Sequence, residues 1–178
     1  MRQIGLAFET VVPDIIEQPR TGEAAIDYVS RMAAEKARCA AILVGARGGR
    51  ALPIIGADTE VVIDQEILGK PVDRDHGFQI LRRLAGRSHE VLTAICVVHQ
   101  GREAGAVSES RVTFGPLSDA DIARYWESGE PVGKAGGYAI QGLAAAFIAR
   151  LEGSYSGVMG LPLYELVMLL RKTGISIP

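Results

Sequence analysis

Asp58 and Lys70 are the first residues in this chain whose types and spacing point to chemistry. The acid closes the run Ile54-Ile55-Gly56-Ala57-Asp58-Thr59, and the lysine follows inside Gly69-Lys70-Pro71. An apolar run that ends on a small residue and an acid reads as a buried strand delivering a carboxylate to its tip. A Gly-Lys-Pro turn soon afterwards can bring a cation back beside that tip. Such a pair suits hydrolysis of a polyanion, because the acid can bind a metal or activate water and the lysine can neutralise phosphate charge. Taken alone, Asp58 also reads as a strand-end acid that caps a turn.

The elements that must position these residues follow from the pattern around them. Phe8 to Val12 is apolar and β-branched and reads as a strand, broken by Pro13-Asp14. Thr21 can cap a helix over Gly22 to Val44, where Tyr28, Met32, Lys36 and Ala40 repeat every four residues along one stripe. That stripe sets Lys36 on or beside an inward face, where an ammonium needs a partner; a surface lysine with a buried stem is the alternative. The glycine-rich segment Gly45 to Arg50 leads into the Asp58 strand.

Beyond it, Glu60 to Ile63 and Ile67-Leu68 can pair across Asp64-Gln65-Glu66. Asp73 caps a helix ending near Leu84, with Gly86 as its stop. Ser88 to Val98 and Ser108 to Phe114 read as strands joined around Gln100-Gly101. Ser118 caps a helix through Trp126, and Asp119 and Asp121 belong to its first turn. The loop Gly133 to Gly142 passes into an apolar strand, Leu143 to Ile148. Pro162 opens a last helix with Leu163, Leu166, Val167 and Leu170 on its apolar face, and Gly174 ends it. Helices and strands alternate at first and then strands follow one another, which predicts an α/β fold with a mixed, twisted sheet flanked by helices.

At 178 residues the chain is expected to be one domain, 1–178, long enough to bury a full core. Its net charge of −2 disfavours a general nucleic-acid or anionic-membrane binder. Cys39 and Cys96 sit in apolar surroundings without a second ligand at metal spacing and read as reduced fillers. No signal-peptide pattern stands in Met1 to Phe8, and no apolar run approaches the ~20 residues that span a bilayer. A cytoplasmic protein without membrane contact is expected.

Four segments together resemble the Maf family of nucleoside triphosphate pyrophosphatases: Gly56-Ala57-Asp58-Thr59, Gly69-Lys70-Pro71, Leu84-Ala85-Gly86-Arg87-Ser88-His89 before Thr93, and Lys134-Ala135-Gly136-Gly137-Tyr138-Ala139-Ile140-Gln141-Gly142. Glu35-Lys36-Ala37, Gly153-Ser154-Tyr155 and Val158-Met159-Gly160-Leu161-Pro162-Leu163 fit as well. The resemblance implies the fold of the inosine-triphosphatase-like group and cleavage between the α and β phosphates, with magnesium or manganese as the divalent metal. It implies Asp58 as the catalytic acid, Lys36 and Lys70 as phosphate clamps, and Glu17 as a metal-side acid with Asp58. A solvated loop glutamate is the alternative for Glu17. Lys134 marks a subgroup preferring dTTP and UTP, in which Thr59 and Gln141 read the base. A glutamine amide offers one donor and one acceptor, matching the O4 and N3–H edge of uracil or thymine. His89, at a strand start, reads as structural rather than as a base. A homodimer is the partner the family implies.

The resemblance stops at the N-terminus. Family members begin with a strand and a loop like Leu-Ala-Ser-x-Ser-Pro-Arg-Arg, whereas Met1 to Leu6 resembles the tail of the helix that follows such a loop. Three readings are open: a natural protein that starts upstream, a truncation that binds triphosphate poorly, or a repurposed chain. The rival function is accordingly a non-catalytic nucleotide-binding regulator of cell division, of the septum-formation type.

Overall fold

A computed structural model describes residues 1–46 and 52–175. The elements in chain order are α1 (Ala25–Ala46), β1 (Ile54–Ile63), β2 (Glu66–Ile67), α2 (Arg74–Leu84), β3 (Ser88–His99), β4 (Arg102–Phe114), α3 (Asp119–Glu127), β5 (Ile148–Glu152), α4 (Tyr155–Val158) and α5 (Leu163–Lys172). The strands lie in the order β2-β1-β3-β4-β5. This is the expected α/β class, a sheet flanked by helices. Its connections are those of antiparallel neighbours: β1 pairs β2 through Val62↔Ile67 and Ile63↔Glu66, and β4 pairs β5 through Val112↔Leu151. Only two residues, Gln100 and Gly101, join β3 to β4, a link that antiparallel neighbours alone permit. A mixed sheet was expected from helices and strands that alternate at first, whereas the pairs β1–β2, β3–β4 and β4–β5 are antiparallel.

Two hairpin turns set the register. Asp64 (φ 53°) with Gln65 (φ 65°), and Gln100 (φ 49°) with Gly101 (φ 75°), both place two successive residues at positive φ, the tight turn whose twist matches paired strands.

The chain divides into two compact units. One comprises residues 1–58, 93–108 and 160–178, the other 59–92 and 109–159. In the first, Ile95 and Val97 of β3 pack with Leu166, Leu169 and Leu170 of α5. Helix α1 buries Tyr28, Val29, Met32, Ala33, Ala37 and Ala40, among them three of the four residues of the predicted stripe, with Lys36 partly buried beside them. Small residues let it come close to β1: a Cβ on Gly56 would strike the Ala33 carbonyl and lie 2.6 Å from the Ala37 amide nitrogen. In the second unit, Phe78 and Leu81 of α2, Val91 of β3, Phe114 of β4 and Ile122 of α3 form the core. Helix ends follow their sequence signals: Asp73 accepts from the His76 N–H at 2.8 Å, Ser118 and Asp121 form a reciprocal cap, and Gly86 takes φ 67°. Cys39 and Cys96 are free thiols, and burial pushes the Cys96 thiol up to about 11.

Four local expectations fail. Phe8 to Val12 forms no strand, and Val12 is 86% exposed. Strand preference is realised only against a neighbouring strand, and none pairs there among the described residues. Thr21 does not cap α1, because Gly22 turns the chain at φ 75° and Glu23 is drawn to Arg31. Asp58 is not at a strand tip, since β1 runs on through β-branched Thr59, Val61, Val62 and Ile63. Leu143 to Phe147 is a 3-10 turn, with β5 starting at Ile148. The carboxylate of Glu130 accepts the Leu143 and Ala144 N–H groups at 2.8 and 3.2 Å and holds those amides away from a strand ladder. The Gly45 to Arg50 expectation lies largely outside the described residues.

Gly56→Ala drives a methyl group into α1 backbone that has no free rotamer to yield. It is expected to cost about 2 kcal/mol or more and to lower Tm by roughly 5 °C or more. A thermal melt indistinguishable from wild type would refute the close approach.

Candidate active site

Helix α1 delivers Lys36 from the same stripe as buried Met32 and Ala40, and β1 presents Asp58. The Lys36 Nζ donates to Asp58 Oδ1 at 2.6 Å and stands 2.7 Å from Glu17 Oε1. Asp58 is nearly inaccessible, with 8% of its side chain exposed, whereas Glu17 keeps 36%. Burial disfavours the Lys36 ammonium, but its bonds to Asp58 and then Glu17 outweigh that and raise its pKa above the usual 10.5. A raised pKa means the stabilisation is complete below the ordinary lysine value and fades only as pH climbs through the raised one. Lys36 is therefore a protonated ammonium at neutral pH.

Glu17 and Asp58 each turn one oxygen to the Lys36 Nζ, which fills the point where those oxygens converge. Carboxylate oxygens are the ligand type magnesium and manganese take, commonly one or two with water and phosphate oxygens completing the octahedron. Among the described residues no group of three or more His, Cys, Asp or Glu side chains is assembled to hold a metal alone.

Arg31, which the sequence did not single out, fixes the segment that carries Glu17. Its guanidinium grips Glu23 with two bonds of 2.7 Å, reaches Glu35 at 3.2 Å and donates to the Gln18 carbonyl at 3.0 Å. The Arg31 guanidinium, aided by the Arg20 N–H, holds the Glu23 carboxyl down at about 2. The only sequence trace was the Arg31/Glu35 spacing of one helical turn, which surface helices show routinely.

The second unit carries Thr59, Lys70, Lys134 and Gln141. The Gly136 N–H donates to the Gly69 carbonyl at 2.7 Å, tying the Lys134 loop to the Gly-Lys-Pro turn. Gly136 (φ 64°) lies against Val61, where a Cβ would come within 2.7 Å of a methyl, and Gly137 lies against Pro71. Lys70, Lys134 and Gln141 are exposed, whereas Gly136 to Ile140 are buried, so an anchored segment ends on an outward glutamine.

That anchor runs through His89, whose Nε2 lies 2.8 Å from the Tyr138 hydroxyl while its ring meets Phe114 and Tyr138 edge-on. Burial pulls the His89 pKa down to about 4, so it is a neutral structural residue at working pH. Between pH 6.5 and about 4 the unfolded chain binds a proton that the native His89 refuses, so stability falls as pH drops through that window. His89→Phe keeps the ring packing and is expected to flatten that slope by on the order of 2–3 kcal/mol, read from urea unfolding at pH 7 and pH 4.5. An equal slope in wild type and variant would remove His89 as its source.

A family model described as Maf-like protein matches residues 1–173. Proteins named dTTP/UTP pyrophosphatase are similar over nearly the whole chain. The one from Bordetella avium (strain 197N) is 47% identical over 182 residues, covering 100% of this chain and 90% of the relative. Those from Ralstonia nicotianae (strain ATCC BAA-1114 / GMI1000) and Hahella chejuensis (strain KCTC 2396) are each 49% identical, covering 99% and 98% of this chain and 89% and 86% of the relatives. The segments that carry Lys36, Asp58, Lys70 and Gln141 all lie within the matched region, and the chain belongs to the Maf family.

Proposed function

We infer that this chain is a nucleoside triphosphate pyrophosphatase acting on dTTP and UTP. The observation that carries the reading is its 47–49% identity, over 98–100% of its length, to relatives bearing that name. The chemistry available to its residues agrees. Asp58 is the base: it takes a proton from water as the water oxygen bonds to the α-phosphorus and the bond to the α–β bridging oxygen breaks. The products are the nucleoside monophosphate and pyrophosphate. Lys36, already bonded to Asp58, orients that carboxylate and offers positive charge to the phosphates. Lys70 and Lys134 are exposed cations free of a helix or strand, suited to β- and γ-phosphate oxygens.

Thr59, which directly follows Asp58, and Gln141 read the pyrimidine edge. Glu17 and Asp58 are the pair that would hold magnesium or manganese. When bound, that ion neutralises phosphate charge and eases departure of pyrophosphate. The non-catalytic septum-formation reading gains no observation here. In the cell we place the enzyme in the cytoplasm as a homodimer, for which light scattering should return twice the 19.0 kDa chain mass.

Incubation with dTTP or UTP and Mg²⁺ or Mn²⁺ is expected to release one pyrophosphate per nucleotide. Asp58→Asn keeps the shape but loses the base, and kcat is expected to fall about 10²–10⁴-fold. Undiminished turnover in a folded Asp58→Asn protein would end the assignment of the base.

A further inference from the structure

Gln141 sits in a tight turn, Ala139 to Gly142, closed by the Gly142 N–H on the Ala139 carbonyl at 3.0 Å. One carboxylate outside the proposed catalytic set secures both ends of that turn. On the exit side, Glu130 accepts the Leu143 N–H at Oε2 and the Ala144 N–H at Oε1, at 2.8 and 3.2 Å. On the entry side, the Ala139 N–H donates to the Tyr125 hydroxyl at 3.3 Å, and that hydroxyl donates in turn to Glu130 Oε1 at 2.7 Å. Gly142 lies directly beneath the carboxylate, where any Cβ would collide with it. Every contact lies in the second unit.

The donors converge on an acceptor with no hydrogen to give. Burial works to raise the Glu130 pKa, but the bonds from Leu143, Tyr125 and Ala144 outweigh it and hold the pKa below the usual carboxylate range. Burial and the Glu130 contact drive the Tyr125 pKa upward, so its hydroxyl keeps its proton and donates while accepting from Ala139. An amide at position 130 cannot copy this arrangement. Its NH₂ would face the Leu143 N–H in one orientation and the Ala144 N–H in the other, setting donor against donor either way.

We propose that Glu130, relayed through Tyr125, is the positioning residue that fixes the Gln141 turn and thereby sets the preference for thymine and uracil over cytosine. The inference rests on the reading of Gln141 as the base-reading side chain. Thymine presents O4 and N3–H where cytosine presents an amino group and a bare N3, so a loosened amide can turn over and satisfy either. Loss of Glu130 should therefore erode selectivity before it erodes nucleotide binding.

The test measures Kd by calorimetry for the α,β-methylene analogues of dTTP and dCTP, which resist the proposed cleavage, on the full chain. Gln141→Ala, Glu130→Gln and Tyr125→Phe are compared with wild type, with thermal melts to certify folding. Gln141→Ala is expected to lower the dCTP-to-dTTP Kd ratio about tenfold, the scale of one misplaced hydrogen bond. Glu130→Gln and Tyr125→Phe are expected to lower it about three- to tenfold while Kd for the dCTP analogue changes little. If Gln141→Ala collapses the ratio but both folded strut variants keep it, the inference is overturned and the base reading stands. If wild type shows no preference, or Gln141→Ala keeps it, the base reading fails and the inference with it. Should Glu130→Gln not fold, Tyr125→Phe decides by the same ratio.

Discussion

An ammonium held between two carboxylates is the constraint around which the first unit is arranged. Lys36 is largely withdrawn from water, and a lysine in that position needs its charge compensated or its proton lost. Asp58 and Glu17 compensate it at 2.6 and 2.7 Å. The demand propagates outward from there. α1 must come close enough to β1 for Lys36 to reach Asp58, which requires Ala33, Ala37 and Gly56 at the crossing. The irregular segment before α1 must be held down for Glu17 to reach the same nitrogen, and Arg31 does so through Glu23 and the Gln18 carbonyl. A chemical pair and a packing motif are thus one arrangement, and neither can change without the other.

The second unit solves a different problem, that of holding exposed polar groups still. Lys70, Lys134 and Gln141 project from turns, where side chains ordinarily wander. Their backbones are secured from within instead. A carbonyl at Gly69 takes the Gly136 amide, His89 and the Tyr138 hydroxyl share a hydrogen bond, and glycines at 136 and 142 let neighbouring groups fill the space of a side chain. The buried polar groups in this unit work by restraining loops whose outer faces stay open to solvent.

Much of this was legible in the sequence wherever a signal is local. Asp73 and Ser118 announce α2 and α3 through side chains that satisfy amides three residues away, and Gly86 and Gly174 mark the stops of α2 and α5 through a backbone only glycine adopts easily. The four-residue spacing of Tyr28, Met32, Lys36 and Ala40 likewise placed Lys36 on an inward stripe. What was illegible depends on partners far along the chain. Phe8 to Val12 has strand-forming residues but no strand to pair with among the described residues, and Leu143 to Phe147 is apolar yet bent by a carboxylate at position 130. Glu130 itself, in Ser128-Gly129-Glu130-Pro131, has the composition of an ordinary exposed loop. The carboxylate at 58 was recognised while its position along β1 was not, because β-branched residues beyond it continue the strand.

The β1–β2 turn carries a consequence of its own. Asp64 and Gln65 both adopt positive φ without being glycine, a conformation costing roughly 1 kcal/mol per residue, and an Arg87 contact of 2.7 Å steadies Asp64 alone. This hairpin turn is thus under backbone tension that belongs to neither Lys36 nor Gln141. Room to harden the protein against heat exists at this hairpin, whose two turn residues carry none of the roles assigned to turnover although they lie in the chain between Asp58 and Lys70.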